Sequence, residues 1–171
     1  MPARISAPRV AAVSAPAEIS IERVRVVDLP LLLPLVRAYC DFYGVSPRDD
    51  RLIDLSRALI DDPGEGVQLL ARSVDEVAGN GEPVGFATIY WTWSTLDAAR
   101  IGLMNDLFVV PALRGSGVGR RLIEACRGLC RNRGATKLVW ETAPDNSTAQ
   151  RLYEATGASS STWLAYEIDA W

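Results

Sequence analysis

Arg114-Gly115-Ser116-Gly117-Val118-Gly119 is the stretch that decides the fold of this chain. It follows a strand-like apolar run at 107–111 and precedes a segment, 118–132, whose apolar residues have helical spacing. Glycine allows backbone conformations that other residues avoid, and the first N–H groups of a helix are free to bind a ligand at such a loop. Because the helix dipole adds positive partial charge there, the stretch predicts a phosphate-binding loop between a strand and a helix.

Two common phosphate-binding loops do not fit these residues. The P-loop of nucleotide hydrolases needs Lys and then Ser or Thr after its last glycine, but Gly119 is followed by Arg120 and Arg121. The dinucleotide fingerprint G-x-G-x-x-G needs a glycine three positions after Gly117, where Arg120 stands. The pattern that remains is Arg/Gln-x-x-Gly-x-Gly, with Arg114, Gly117 and Gly119 at its fixed positions.

A second pattern lies about thirty residues downstream, at 146–158, and reads Asn-x-x-Ala-x-x-Leu-Tyr-x-x-x-Gly-Ala. The two patterns, with one predicted helix and one predicted strand between them, resemble the acetyl-CoA loop and a later helix of the GNAT superfamily of N-acetyltransferases. The resemblance covers 89–171 and extends more loosely from residue 19. The segments 104–109 and 163–166 are most similar to the small-amine branch, which includes spermidine/spermine and diamine acetyltransferases, but Asn105 stands where that branch has an acid.

The fold that this resemblance implies is the α/β GNAT fold, a mixed central sheet of six to seven strands with helices on both faces. Residues 1–17, rich in Ala, Pro and Ser, are expected to form a flexible leader, and 18–171 a single GNAT domain. The glycines of Gly79-Asn80-Gly81 predict a hairpin turn. Apolar periodicity predicts strands at 18–27, 67–74, 83–94, 101–110, 137–142 and 163–168, and helices at 28–43, 48–61, 118–132 and 146–156.

Composition restricts the possible chemistry and partners. No apolar run among the 171 residues reaches the roughly 18 residues that span a bilayer, so we expect no membrane association. Histidine is absent, which excludes His-based triads and most zinc sites, and no metal is expected. Three cysteines without a C-x-x-C pattern fit a reducing cytoplasm, and a net charge of −3 argues against a nucleic-acid partner.

Charge is distributed unevenly along the chain. Residues 41–65 carry seven acids against three arginines, whereas 111–157 carry eight bases against four acids. The first region suits a cationic ligand and the second an anionic one, although both can equally be ordinary solvated helix faces. The acceptor is therefore expected near the first two helices and the segment 90–94.

The resemblance also implies which residues bind acetyl-CoA. The strand 107–109 would pair with the pantetheine arm, and an N–H near Val109 would polarise the thioester carbonyl. The pyrophosphate would lie on the N–H groups of 115–120, and Asn146 would cap its helix and contact the pantetheine arm. The expected cofactor-binding residues are Leu107, Phe108, Val109, Arg114, Gly115, Ser116, Gly117, Val118, Gly119, Arg120, Asn146 and Tyr153.

Three residues are expected to act in catalysis. Tyr153 matches the general acid of the family, because its phenol can protonate the departing CoA thiolate; it can equally be a core aromatic. The acceptor ammonium, with a pKa of about 10.4 if it is of lysine type, must lose a proton first. Asp106 and Glu141 are the candidate bases, directly or through water, although Asp106 can simply bind the acceptor and Glu141 can be a solvated residue at a strand edge.

The function implied is acetyl transfer from acetyl-CoA directly to a primary amine, with a small cationic amine as the acceptor. Asn105, Asp106, Trp91 and Trp163 are the candidate acceptor-binding residues, since carboxylates and aromatic faces bind alkylammonium groups; the tryptophans can equally pack against helices or a partner subunit. Two alternatives stay open, acetylation of a protein lysine or N-terminus and a non-catalytic acetyl-CoA sensor. The family often pairs through C-terminal strands, which implies a homodimer.

Overall fold

The computed structural model describes residues 18–74 and 81–170. The predicted leader 1–17 and most of the predicted hairpin turn, 79–80, lie outside the described residues. Four α-helices are present in the described part: α1 (Leu29–Phe42), α2 (Asp49–Asp61), α3 (Val118–Asn132) and α4 (Ser147–Ala155). The strands there are β1 (Ile19–Arg23), β2 (Gly66–Ser73), β3 (Pro83–Ser94), β4 (Ala99–Val109) and β5 (Leu138–Val139).

The strands form one mixed sheet in the order β1-β2-β3-β4-β5. The first four are antiparallel neighbours, whereas β5 is parallel to β4. This parallel pairing is short, because it joins only Gly102 to Leu138 and Leu103 to Val139. In the described part of the chain, β4 then continues to Val109 with β3 as its only strand neighbour, so one backbone edge of 104–109 is open.

Alternation of side chains along the strands produces a core on each face of the sheet. On one face, Leu122 and Cys126 of α3 pack with Ala87, Ile89 and Met104 of the sheet. On the opposite face, the apolar side of α1 covers the sheet; the buried residues there include Leu29, Leu32, Leu35, Leu70, Phe86 and Phe108. Each fully buried aliphatic or aromatic side chain contributes about 1.5–3 kcal/mol. The mixed sheet with helices on both faces is therefore confirmed.

The expected number of strands, six to seven, is wrong, since the sheet formed by the described residues has five. The predicted strand 163–168 is absent: its large apolar side chains are 78–95% exposed, from Leu164 to Ile168. Strands persist by pairing their N–H and C=O groups, and this segment pairs with no strand in the described part. The predicted strand 137–142 is limited to Leu138–Val139, because Trp140 leaves the sheet to pack on Tyr153 of α4.

The predicted first strand, 18–27, is shorter than expected, since β1 ends at Arg23 and Val26–Asp28 form a 3₁₀-helix. The other predicted strands and helices are confirmed with small differences at their ends. No helix within 18–74 or 81–170 is long and apolar enough to cross a bilayer.

Candidate active site

A β-bulge in β4 holds the two predicted acceptor residues side by side. Asp106 pairs with Thr88 of β3, whereas the next pair joins Met104 to Ile89, so Asn105 has no partner across the ladder. Such bulges bend the strand and redirect its side chains. The Asn105 amide donates from Nδ2 to Oδ1 of Asp106 over 3.0 Å.

Three side chains from α1 and β3 face this bulge. The Tyr39 hydroxyl of α1 donates to the backbone carbonyl of Asn105 over 3.4 Å. Burial and then the nearby Asp106 carboxylate raise the pKa of Tyr39 and of Tyr90 in β3. Burial also raises the pKa of Cys40 in α1, where the Arg37 charge opposes the rise and Asp106 adds to it. All three groups therefore keep their protons at neutral pH, and Asp106 lies among neutral neighbours.

The aromatic residues at the end of α1 form the wall above the bulge. The ring of Tyr39 is edge-on to Tyr43, with centroids 5.0 Å apart, and edge-on to Phe86 at 5.8 Å. Tyr43 is 52% exposed, so its ring faces solvent as well as the wall. Sequence reasoning missed Tyr39 and Tyr43 individually. Their spacing of four residues on the predicted helix 28–43, which places both on one helix face, was the available signal.

Tyr153 of α4 packs on Trp140 and lies close to Tyr43. Its ring is edge-on to Trp140 with centroids 5.3 Å apart. Burial raises the pKa of Tyr153, the neighbouring phenol of Tyr43 raises it further, and a hydrogen bond with Thr142 lowers it by less. Tyr43 is therefore close to both Tyr39 and Tyr153. The phenol of Tyr153 therefore keeps its proton at neutral pH, as a general acid requires.

The predicted phosphate loop has the backbone that an anion site needs. Gly115 and Gly117 have φ values of +80° and +94°, a region that favours glycine. A Cβ added to either would meet nothing within 4 Å, so the loop is open on the side where a ligand would lie. Arg121 donates its N–H to the Gly117 carbonyl over 3.1 Å, so the N–H groups of 117–120 precede the first helical bond of α3.

The third glycine of the loop has a different role. A Cβ on Gly119 would approach Cδ2 of Leu152 to 2.9 Å, so this glycine lets α3 pack closely against α4, next to Tyr153. Arg114 folds back on β4, where its Nε donates to the Val109 carbonyl over 3.2 Å. The exposed loop therefore lies at the end of the open edge of β4.

Two predicted site residues, Glu141 and Asn146, lie on the connection from β5 to α4. Asn146 caps α4, because its Oδ1 accepts the N–H of Ala149 over 3.2 Å; the predicted cap is confirmed. Glu141 is exposed, and its role as a base stays a prediction. In the described residues, no group of three or more His, Cys, Asp or Glu is arranged to hold a metal ion.

The structure does not bring the two predicted tryptophans to Asp106. Trp91 packs with the core on the α3 face; its Nε1 donates to the Pro63 carbonyl over 3.2 Å, and the Arg133 guanidinium lies 4.7 Å from its ring centre. Trp163 is 83% exposed in the C-terminal segment. Tyr39 and Tyr90 are instead aromatic residues that lie near Asp106.

Comparison with known proteins identifies the family. The model of the acetyltransferase (GNAT) family matches residues 34–158. The chain belongs to the GNAT family. Among its relatives, the uncharacterized N-acetyltransferase YhfO of Bacillus subtilis (strain 168) is 32% identical over 147 residues, which are 86% of this chain and 94% of that protein. The thialysine N-epsilon-acetyltransferase of Bos taurus is 27% identical over 149 residues, 84% of each chain.

A solved structure has the same fold. The aminoglycoside N-acetyltransferase AAC(6')-Iy in complex with CoA superposes with a TM-score of 0.78 over 92% of this chain and 99% of that one, at 18% identity. The GNAT fold is therefore confirmed, and the chain is an N-acetyltransferase.

The acetyl-CoA of a GNAT enzyme fits the residues present. The open edge of β4 at 107–109 offers backbone groups that can pair with the amides of a pantetheine arm. The glycine loop that follows offers N–H groups and the positive end of the α3 dipole to a pyrophosphate. Tyr153 follows Leu152, the α4 residue that lies against Gly119 of this loop. The chain thus holds a strand edge for an amide chain, a glycine loop for phosphates and, on the neighbouring helix α4, a phenol for proton donation.

Proposed function

We propose that this GNAT enzyme transfers the acetyl group of acetyl-CoA directly to the primary amine of a small cationic molecule. The observation that carries the proposal is the position of Asp106, a carboxylate at the bulge of β4 surrounded by the neutral phenols of Tyr39 and Tyr90. A carboxylate among aromatic rings binds an alkylammonium by charge and by cation–π contact. The thialysine acetyltransferase relative acts on an amine of this kind.

The proposed reaction begins with removal of a proton from the acceptor. At pH 7 an ammonium with a pKa near 10.4 must be deprotonated at a cost of about 5 kcal/mol. Asp106 takes this proton, directly or through water, and partial desolvation beneath Tyr39 and Tyr43 reduces the cost by favouring the neutral amine. Glu141, exposed at the connection to α4, is the alternative base.

The amine nitrogen then attacks the thioester carbon, and the C–S bond breaks after the N–C bond has formed. A backbone N–H at the end of β4, near Val109, stabilises the negative charge that develops on the carbonyl oxygen. Tyr153 gives its phenolic proton to the leaving thiolate. The second proton, which the nitrogen loses as the amide forms, returns to the Tyr153 phenolate through water, and the proton taken by the base is released to solvent. No covalent enzyme intermediate is required.

A thiol-release assay with acetyl-CoA tests this function. The acceptor panel contains diamines, amino acids including thialysine, aminoglycosides and lysine-bearing histone-like peptides. We expect turnover with small amines, and we expect Tyr153→Phe to lower kcat by about 10²–10⁴-fold while CoA affinity is retained. Turnover confined to the peptides would establish protein acetylation instead, and CoA binding without turnover on any acceptor would establish a sensor.

We infer two further properties of the proposed enzyme. The exposed apolar segment 163–168 supports a homodimer, because such side chains are buried in soluble assemblies. The three cysteines of the sequence are all free, which supports a reducing compartment such as the cytoplasm.

A further inference from the structure

Asn105 presents a neutral hydrogen-bond acceptor beside the Asp106 carboxylate. Of the two ends of the Asn105 amide, only the NH₂ group can donate to a carboxylate oxygen. The 3.0 Å bond from Nδ2 to Asp106 therefore fixes the orientation of the amide. Its Oδ1 then points away from Asp106 and accepts no hydrogen bond from the described residues. Asn105 is exposed, and as the unpaired residue of the bulge it lies outside the ladder.

Asp106 supplies the negative charge at the bulge. Among the described residues, it is the one carboxylate that raises the pKa of Tyr39, Cys40 and Tyr90 alike. Arg37 of α1 is engaged with Asp49 of α2 in an ion pair. A ligand bound at the bulge therefore meets the Asp106 carboxylate, the neutral phenols of Tyr39 and Tyr90 and the amide oxygen of Asn105.

We propose that Asn105 determines acceptor specificity by selecting an amino alcohol, an amine that carries a hydroxyl a few bonds from the reacting nitrogen, over the corresponding diamine. The inference rests on the function proposed above. The acceptor ammonium binds the free oxygen of Asp106, and its hydroxyl donates to Oδ1 of Asn105. A diamine places a second ammonium where there is a neutral amide, so this charge loses part of its hydration without gaining an opposite charge.

Substitutions of Asn105 should change the acceptor preference according to the charge that they introduce. Asn105→Asp places a second carboxylate at the bulge, where it attracts a second ammonium and repels Asp106. It should therefore exchange the preferred acceptor rather than only weaken binding. Asn105→Ala removes the amide without adding charge, so it should remove the preference for the hydroxyl and create none for the diamine.

The test compares 3-aminopropan-1-ol with 1,3-diaminopropane, which differ only in a hydroxyl or an ammonium at the far end. Wild type should favour the amino alcohol in kcat/KM by about tenfold or more, and Asn105→Asp should shift the ratio toward the diamine by about the same factor. Asn132→Asp, which adds the same charge at the exposed end of α3, is the matched control and should leave the ratio unchanged. Thermal unfolding by circular dichroism checks that each variant is folded.

Two outcomes overturn the inference: a wild-type preference for the diamine, or a ratio for Asn105→Asp within about twofold of wild type. If wild type acetylates neither amine, the inference is decided by calorimetric titration of the two amines into the CoA-bound protein, and the proposed small-amine function fails only if no small amine of the full panel is acetylated. Tighter binding of the amino alcohol that is lost in Asn105→Asp would uphold it. Equal affinity, or no binding of either amine, would reject it.

Discussion

At the residue scale, the proton on Tyr153 determines the pH dependence of the enzyme. Burial and the Tyr43 phenol raise the pKa of Tyr153 above 10.0, so the acid form is lost only as pH rises beyond that value. The amine acceptor, in contrast, gains its reactive form as pH rises toward about 10.4. We therefore expect kcat/KM to increase steadily from pH 6 to about 9, with no decline below about pH 10.

This prediction is checked by pH profiles of wild type and Tyr166→Phe, which alters a tyrosine that is 87% exposed in the C-terminal segment. Both profiles should have the same shape. A decline in the wild-type profile with a midpoint below about pH 9 would mean that Tyr153 ionises too easily to be the acid described here.

Asp28 is a second residue whose charge has a measurable consequence. It is 5% exposed, and its oxygens accept from Arg72 over 2.7 Å and from the Arg25 backbone over 2.9 Å. Burial opposes ionisation, but the hydrogen bonds from Arg25 and the charges of Arg25 and Arg72 outweigh it and lower the pKa of Asp28. We expect Asp28→Asn to reduce the free energy of unfolding by about 3 kcal/mol at pH 7, because Arg72 is left without its partner.

The sign of the pH effect follows from the lowered pKa. The stabilisation from Asp28 is fully present above its ordinary pKa of 3.8 and is lost as pH falls through the lower folded value. Urea unfolding should therefore show a gap between wild type and Asp28→Asn that closes only below about pH 4. Asp50→Asn, which breaks an exposed pair with Arg48, should cost less than about 1 kcal/mol. Equal losses in the two variants would contradict the role assigned to Asp28.

At the scale of elements, the connection between β4 and α3 brings an open strand edge next to a glycine turn. Gly117→Ala places a methyl group at a φ of +94°, which costs about 1–2 kcal/mol, and directs it into the open space of the loop. We expect CoA affinity to fall by about tenfold or more while the domain stays folded. Calorimetric titration with CoA measures this loss.

Gly134→Ala is the matched control for the loop. Gly134 follows α3 with a φ of +69°, and a Cβ there also meets nothing within 4 Å. The backbone cost is therefore similar, but the residue lies at the opposite end of the helix from the loop. Similar CoA affinity in the two variants would argue against a pyrophosphate at 115–120.

Elements with strong periodicity could be predicted from the sequence almost to the residue. The helix 118–132 is an example, because its apolar stripe ends where Gly134 stops it. The bulge at Asn105 could not be predicted, since it depends on how β3 and β4 pair and has no local signal. Within the site, the glycine loop and Tyr153 carried recognisable patterns, whereas Tyr39 and Tyr43 depend on how α1 packs across β4.

At the scale of the whole molecule, the segment 163–168 presents a row of large apolar side chains to solvent. Its alternating apolar residues predict a strand, yet Trp163, Leu164, Tyr166 and Ile168 are all exposed. Alternation alone cannot distinguish a strand that pairs within its own chain from one that pairs elsewhere. The short β5 leaves the end of the sheet available for such a pairing.

We predict that this segment joins two copies of the chain. Burying an aliphatic or aromatic side chain contributes about 1.5–3 kcal/mol, so four such residues exchanged between copies support a stable dimer. Analytical ultracentrifugation from about 1 to 100 μM should show a dimer for wild type and a monomer for the double variant Leu164→Asp, Ile168→Asp. Val27→Asp, at an apolar residue that is 73% exposed outside the segment, should remain dimeric. A wild-type monomer throughout this range, or a double variant that stays dimeric, would reject the segment as the interface.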